Sequence, residues 1–181
     1  MSLYQAAHAS TTPGLGFELR LIGVYVLAAV VALLLQTTVL HQLTGGRVIP
    51  DLVLVLCVYL GLHQHDVGGA TGAFLLGYLL DSFSGSVVGL NAFAMTSVYL
   101  VVYLMSRRLW MDNVLSAVAM VFLATFLKGI AVTVALAAYL SIHRVSLHAA
   151  QTLLAEALLA AALTPAVFAT LRRARRLLGV A

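Results

Sequence analysis

Charge is what this sequence has least of. Of its 181 residues only 9% are Asp, Glu, Lys or Arg, while 62% are hydrophobic and the mean hydropathy is +1.06. A soluble domain carries roughly a quarter charged residues, and a chain with so few cannot cover a folded surface with polar groups. An ordinary water-soluble globule is thereby excluded, and a multi-pass membrane protein is expected. Cysteine is nearly missing too. Cys57 stands alone in an apolar run, so no disulfide within the chain can form, and burial as a small hydrophobe accounts for it. The patterns of common catalytic sites are also missing: there is no P-loop, HExxH, CxxC pair or GxSxG. His63 and His65 are two residues apart and would diverge on a helix, which disfavours a metal site. With no nucleophile–base spacing to point to, neither an enzyme, a cofactor nor a nucleic-acid partner is expected.

What is present in abundance is long apolar runs. At about 20 residues per crossing, Leu19–Leu40, Val87–Met105, Val114–Leu140 and His148–Leu171 each qualify. Asp51–Leu62 and Val67–Leu80 are shorter and are separated by the polar His63–Asp66. As a re-entrant hairpin they would bury that polar tip in lipid, a cost that favours two full crossings. The reading is therefore an all-α polytopic helix bundle of six spans: a cytoplasmic tail over 1–18, a transmembrane domain over 19–171 and a basic cytoplasmic tail over 172–181. Leu19–Leu40 is too long for a signal-peptide core and reads as a retained first span. Six spans place Arg20, Arg107, Arg108, Arg172, Arg173, Arg175 and Arg176 on one side and only Arg47 and Arg144 on the other. That asymmetry puts both termini in the cytoplasm of a bacterial inner membrane. The connections are short, so any function lies within or beside the bilayer.

The few polar groups inside these runs are the candidate functional residues. Lys128 in the fifth span and Glu156 in the sixth fall at similar depth when counted back from the turn around Ser141–Arg144, so an intramembrane ion pair is expected between them. Asp51 follows Pro50 at the start of the second span, where a proline and an acid both suit a first helical turn. Asp81 differs: it ends the third span, where the helix dipole disfavours an anion, so something outside its own helix must hold it. Ser86 offers an N-cap for the fourth span, and Asn91 lies one turn further on, near the level of Asp51 and Asp81. Asp81→Ala is accordingly expected to be more damaging than Asp51→Ala. Two small-residue ridges, Gly68–Gly72 and Gly69–Ala73–Gly77, suit close helix packing, within this bundle or against a partner. The arginines 172, 173, 175 and 176 serve either as a topology signal or as contacts to anionic lipid.

The Pro50–Asp51 entry "IPDLVLVL", the glycine-rich third span ending in Asp81 and the passage "DSFSGSVVGLNAF" resemble the MreD family of rod-shape-determining proteins. Pro50, Asp51, Asp81, Gly85, Gly89 and Asn91 are the positions that carry the likeness. The resemblance implies a non-enzymatic partner of MreC in the complex that directs lateral wall synthesis, alongside MreB, RodA and a class B penicillin-binding protein. It also implies a fold similar to the substrate-binding membrane subunits of energy-coupling-factor transporters. Such a fold would bring an outward polar cavity and, as the alternative function, small-molecule binding or transport. The short, glycine-interrupted middle spans are compatible with that alternative.

Overall fold

The computed structural model describes residues 15–40, 42, 50–84, 88–107, 114–140 and 147–177. These form six helices and, among the described residues, no strand. They are α1 (Leu15–Leu34, continued by a π-helical stretch Leu35–Leu40), α2 (Leu52–His63), α3 (Val67–Ser84), α4 (Leu90–Ser106), α5 (Val114–Leu140) and α6 (Leu147–Leu177). The six segments read from hydropathy each appear as a helix.

α2 is the centre of the bundle. Its sequence, LVLVLCVYLGLH, has no polar face before its last residue, and a helix apolar all round belongs inside. Every residue from Leu52 to Gly61 is buried, and α2 touches each of the other five helices. Tyr59 sets the lower part of this core: its ring stacks on His63 at 4.1 Å and meets the edge of Phe168 from α6 at 4.9 Å. The outer helices show the reverse pattern. Leu27, Phe83, Leu115, Ile130 and Leu158 are all exposed, a surface that would drive aggregation in water and that suits contact with acyl chains. Two stretches, Val114–Ala135 and Thr152–Ala174, are long and apolar enough to cross a membrane by length and composition.

Several boundaries differ from the sequence reading, α3 running to Ser84 rather than Leu80 among them, and three have a local reason. α1 begins at Leu15 rather than Leu19, and α6 continues to Leu177, so Arg172 to Arg176 occupy its last turns instead of a separate tail. Arg, Ala and Leu are good helix formers, and nothing after Leu171 interrupts the backbone ladder. Pro165 lies inside α6 without ending it. The third difference is at α4, which starts at Leu90 instead of Val87 because Gly89 takes a left-handed conformation (φ 96°) that a side chain would strain. Gly89 is the N-cap residue, and it has no side chain to cap with; the expected cap Ser86 lies outside the described residues, as does Gly85.

Candidate functional site

The missing cap of α4 comes from another helix. Asp81, in the last turn of α3, is 1% exposed, and its carboxylate receives four hydrogen bonds from the start of α4. Oδ2 accepts from the backbone N–H of Gly89 (2.9 Å) and of Ala92 (3.2 Å). Oδ1 accepts from the backbone N–H of Asn91 (3.0 Å) and from its side-chain amide (2.9 Å). The first N–H groups of a helix have no partner within it and carry the positive end of its dipole. An anion disfavoured by its own helix end is therefore stabilised by its neighbour's beginning. This is the external support that Asp81 requires, and Asn91 belongs to the same unit.

One turn below, the two backbones nearly touch. A methyl group built on Gly77 would overlap the carbonyl oxygen of Asn91 and lie 2.7 Å from the nitrogen of Ala92. At the other end of α3, a methyl on Gly69 would meet the Tyr99 hydroxyl at 2.5 Å and the Gln64 carbonyl at 2.9 Å. That hydroxyl donates to the carbonyls of Gln64 (2.8 Å) and Asp66 (3.2 Å), pinning the α2–α3 turn to α4. The Gly69–Ala73–Gly77 ridge is thus used within the chain, against α4. Gly68 and Gly72 face elsewhere, into a groove beside α1. Gly69→Ala is expected to destabilise by about 1–3 kcal/mol through overpacking. Gly72→Ala, whose added methyl meets only Leu60 Cδ1 at 3.5 Å, should be near neutral. Thermal unfolding of the two purified variants in one detergent checks the contrast.

Asp51 does more than begin a helix. Its Oδ1 accepts from the Leu54 N–H at 2.9 Å, the N-cap bond of α2, while Oδ2 forms an ion pair with Lys128 of α5. The expected Lys128–Glu156 pair is not present among the described residues; Lys128 takes Asp51 instead. Counting along the α5–α6 hairpin gave the right height, since Gly129 sits against Leu153, but height does not fix azimuth. Lys128 points toward the central α2, and Glu156, half-buried, stands within electrostatic reach of both Lys128 and Asp51. Asp51→Asn retains the cap, because Asn caps as well as Asp, yet it removes the charge paired with Lys128. We expect a loss of about 2 kcal/mol, below the range for fully buried pairs since both partners are part-exposed. Adding Lys128→Met to Asp51→Asn should recover most of that loss, and thermal unfolding of the two variants beside the unaltered chain measures it.

These groups share one level. Cys57 donates through its thiol to the Met95 carbonyl (3.3 Å) and Gly61 lies against Val102, so α2 and α4 run side by side in the same direction. Counting back from Cys57 and Met95 brings Asp51 level with Gly89, and hence with Asp81. Asp51, Asp81 and Asn91 thus share one level at one end of the middle helices, where Lys128 pairs with Asp51 and Asp81 with the start of α4. That level is the rim of α2–α4 but only mid-height on α5, which runs 12 residues beyond Lys128, about 18 Å.

Elsewhere, His63 Nδ1 lies 3.0 Å from the Tyr59 carbonyl and His65 Nε2 lies 3.1 Å from the Ser106 hydroxyl, so the two histidines engage different helices. Arg172, Arg173 and Arg176 are exposed on α6, and the side chain of Arg175 lies outside the described residues. The described cavities are apolar grooves flanking α1, of about 420 and 240 Å³, not the outward polar cavity expected of a transporter subunit. No match is found among curated proteins or among solved structures, and the likeness to energy-coupling-factor subunits is without support. The family comparison is positive: the model described as "rod shape-determining protein MreD" matches residues 19–174, from within α1 to the last turns of α6, and the chain belongs to that family.

Proposed function

We propose that this chain is a non-enzymatic scaffold of the complex that directs lateral wall synthesis in rod-shaped bacteria. In this reading it crosses the cytoplasmic membrane six times, keeps both termini inside, and binds MreC directly. MreB, RodA and a class B penicillin-binding protein complete the assembly. The carrying observation is the family match over residues 19–174, which implies a role in rod shape determination. Two structural features support the scaffold role. Two of the acids within the spans are engaged in joining helices: Asp81 to α4, and Asp51 to Lys128. The surface left for a partner consists of lipid-level helix faces and the rim of α2–α4.

Asp81 serves such a partner by fixing the α3–α4 hairpin, since it is buried and its oxygens already accept from α4. The exposed arginines at the end of α6 hold that helix end at the inner leaflet, each contributing about 1 kcal/mol near anionic lipid. The test is co-purification from mild detergent together with labelling of single cysteines placed after Leu177. Retention of MreC, with labelling only from the cytoplasmic side, is the expected result. A chain that never retains MreC under conditions where other membrane complexes survive, or whose C-terminus labels from outside, contradicts the proposal.

A further inference from the structure

Two grooves flank α1, and they differ at their ends. The smaller, against α6, is lined by apolar residues and Thr170 and has no charged group. The larger runs between α1 and α3 over a floor that includes Ala29, Leu60, Gly72 and Leu76, and it ends at Gln64 and Asp66. Asp66 is exposed. Its Oδ1 accepts from the Gly69 N–H at 3.0 Å, capping α3, and no ion pair to its carboxylate is present among the described residues. From Asp66 to Leu79 the groove follows 13 residues of α3, about 20 Å, enough to cover the roughly 15 Å depth of one leaflet's hydrocarbon.

A concave apolar surface of this kind is not left empty in a bilayer. Its volume of about 420 Å³ would hold about 14 groups the size of a methylene, taking each as roughly the 30 Å³ share of a water molecule. That is one acyl chain. A whole partner helix, about 10–12 Å across, would have to ride over the groove's mouth and leave its floor unfilled. The negative end then selects the headgroup: a carboxylate that has no ion pair among the described residues favours a positive group and disfavours an anionic one. We infer that the α1–α3 groove binds a single phospholipid with an ammonium headgroup, its acyl chain over Gly72 and its ammonium at Asp66.

This rests on the six-span reading, which extraction of the membrane fraction with alkaline carbonate checks first and independently. Delipidated full-length chain in detergent is then titrated with phosphatidylethanolamine and with phosphatidylglycerol of the same acyl chains, and retained lipid is counted by native mass spectrometry. Phosphatidylethanolamine is expected to bind about five-fold more tightly. Asp66→Asn keeps the α3 cap and should abolish that preference. Gly72→Leu fills the groove and should lower retention of both lipids, with Thr71→Leu on the open wall replacing it if Gly72→Leu does not accumulate. Thr170→Leu, in the other groove, should leave the preference unchanged. Equal binding of the two lipids by the unaltered chain, a preference that survives Asp66→Asn, or a filled groove that still retains lipid overturns the inference. So does a filled groove that loses MreC while keeping its lipid, which would make the groove a protein interface.

Discussion

Gly77→Ala is expected to destabilise the chain by about 3 kcal/mol or more, the largest effect of a methyl group added at any of the described glycines. Overpacking a core ordinarily costs about 1–3 kcal/mol because neighbouring side chains shift or change rotamer. Here the added carbon meets the backbone of Asn91 and Ala92, which cannot rotate away. Relief requires α3 and α4 to separate, and separation also stretches the bonds from Asp81 to the start of α4. Inside lipid there is little hydrophobic return for pressing apolar surfaces together, so close packing and polar contacts carry the association. The measurement is thermal unfolding of purified protein beside Gly72→Ala, on the same helix and with open space. Similar midpoints for the two variants would show that the α3–α4 contact is looser than described.

Asp81→Ala is the second large effect. Alanine leaves the N–H groups of Gly89, Asn91 and Ala92 and the Asn91 amide without their acceptor. Each buried unsatisfied group costs about 1–3 kcal/mol, partly recovered by relaxation, so a total of about 4 kcal/mol is expected. Asp81→Asn separates hydrogen bonding from size. Its amide oxygen can serve one side of the cluster, but its NH2 group then faces N–H donors on the other, so it should restore less than half of the loss. Unfolding midpoints, with restoration of rod shape in cells lacking their own copy, read out both variants. An Asp81→Asn variant as stable as the unaltered chain would show that the carboxylate acts through one oxygen only. Asp51→Ala comes closer to Asp81→Ala than the sequence suggested, because Asp51 holds Lys128 in addition to capping α2.

Much of the candidate site was legible because its signals are local. An acid at the wrong end of a helix, Asp81, announces a need for outside support whatever the fold. An asparagine near the start of the next helix marks where that support can lie. Gly69, Ala73 and Gly77 recur every fourth residue, and that spacing alone puts them on one face. Other features were not local. Nothing near Gly89 announces that it begins α4, since the cap is eight residues away in another helix. Gly68 and Gly72 have the same spacing as the buried ridge, yet they face a groove because α1 stands off from α3 there.

Hydropathy and the scarcity of charge determined, without any coordinates, that the chain is a set of apolar helices, how many there are and roughly where each begins and ends. These are properties of consecutive residues, fixed by the need to pair backbone groups and to match side chains to their solvent. Tertiary structure alone decided the partners: Asp51 rather than Glu156 for Lys128, α4 for Asp81, and the centre of the bundle for α2. The reason is geometric. Counting along a helix gives height, but which of two carboxylates at similar height meets an ammonium depends on the rotation of each helix about its axis. That rotation is set by how all six pack together.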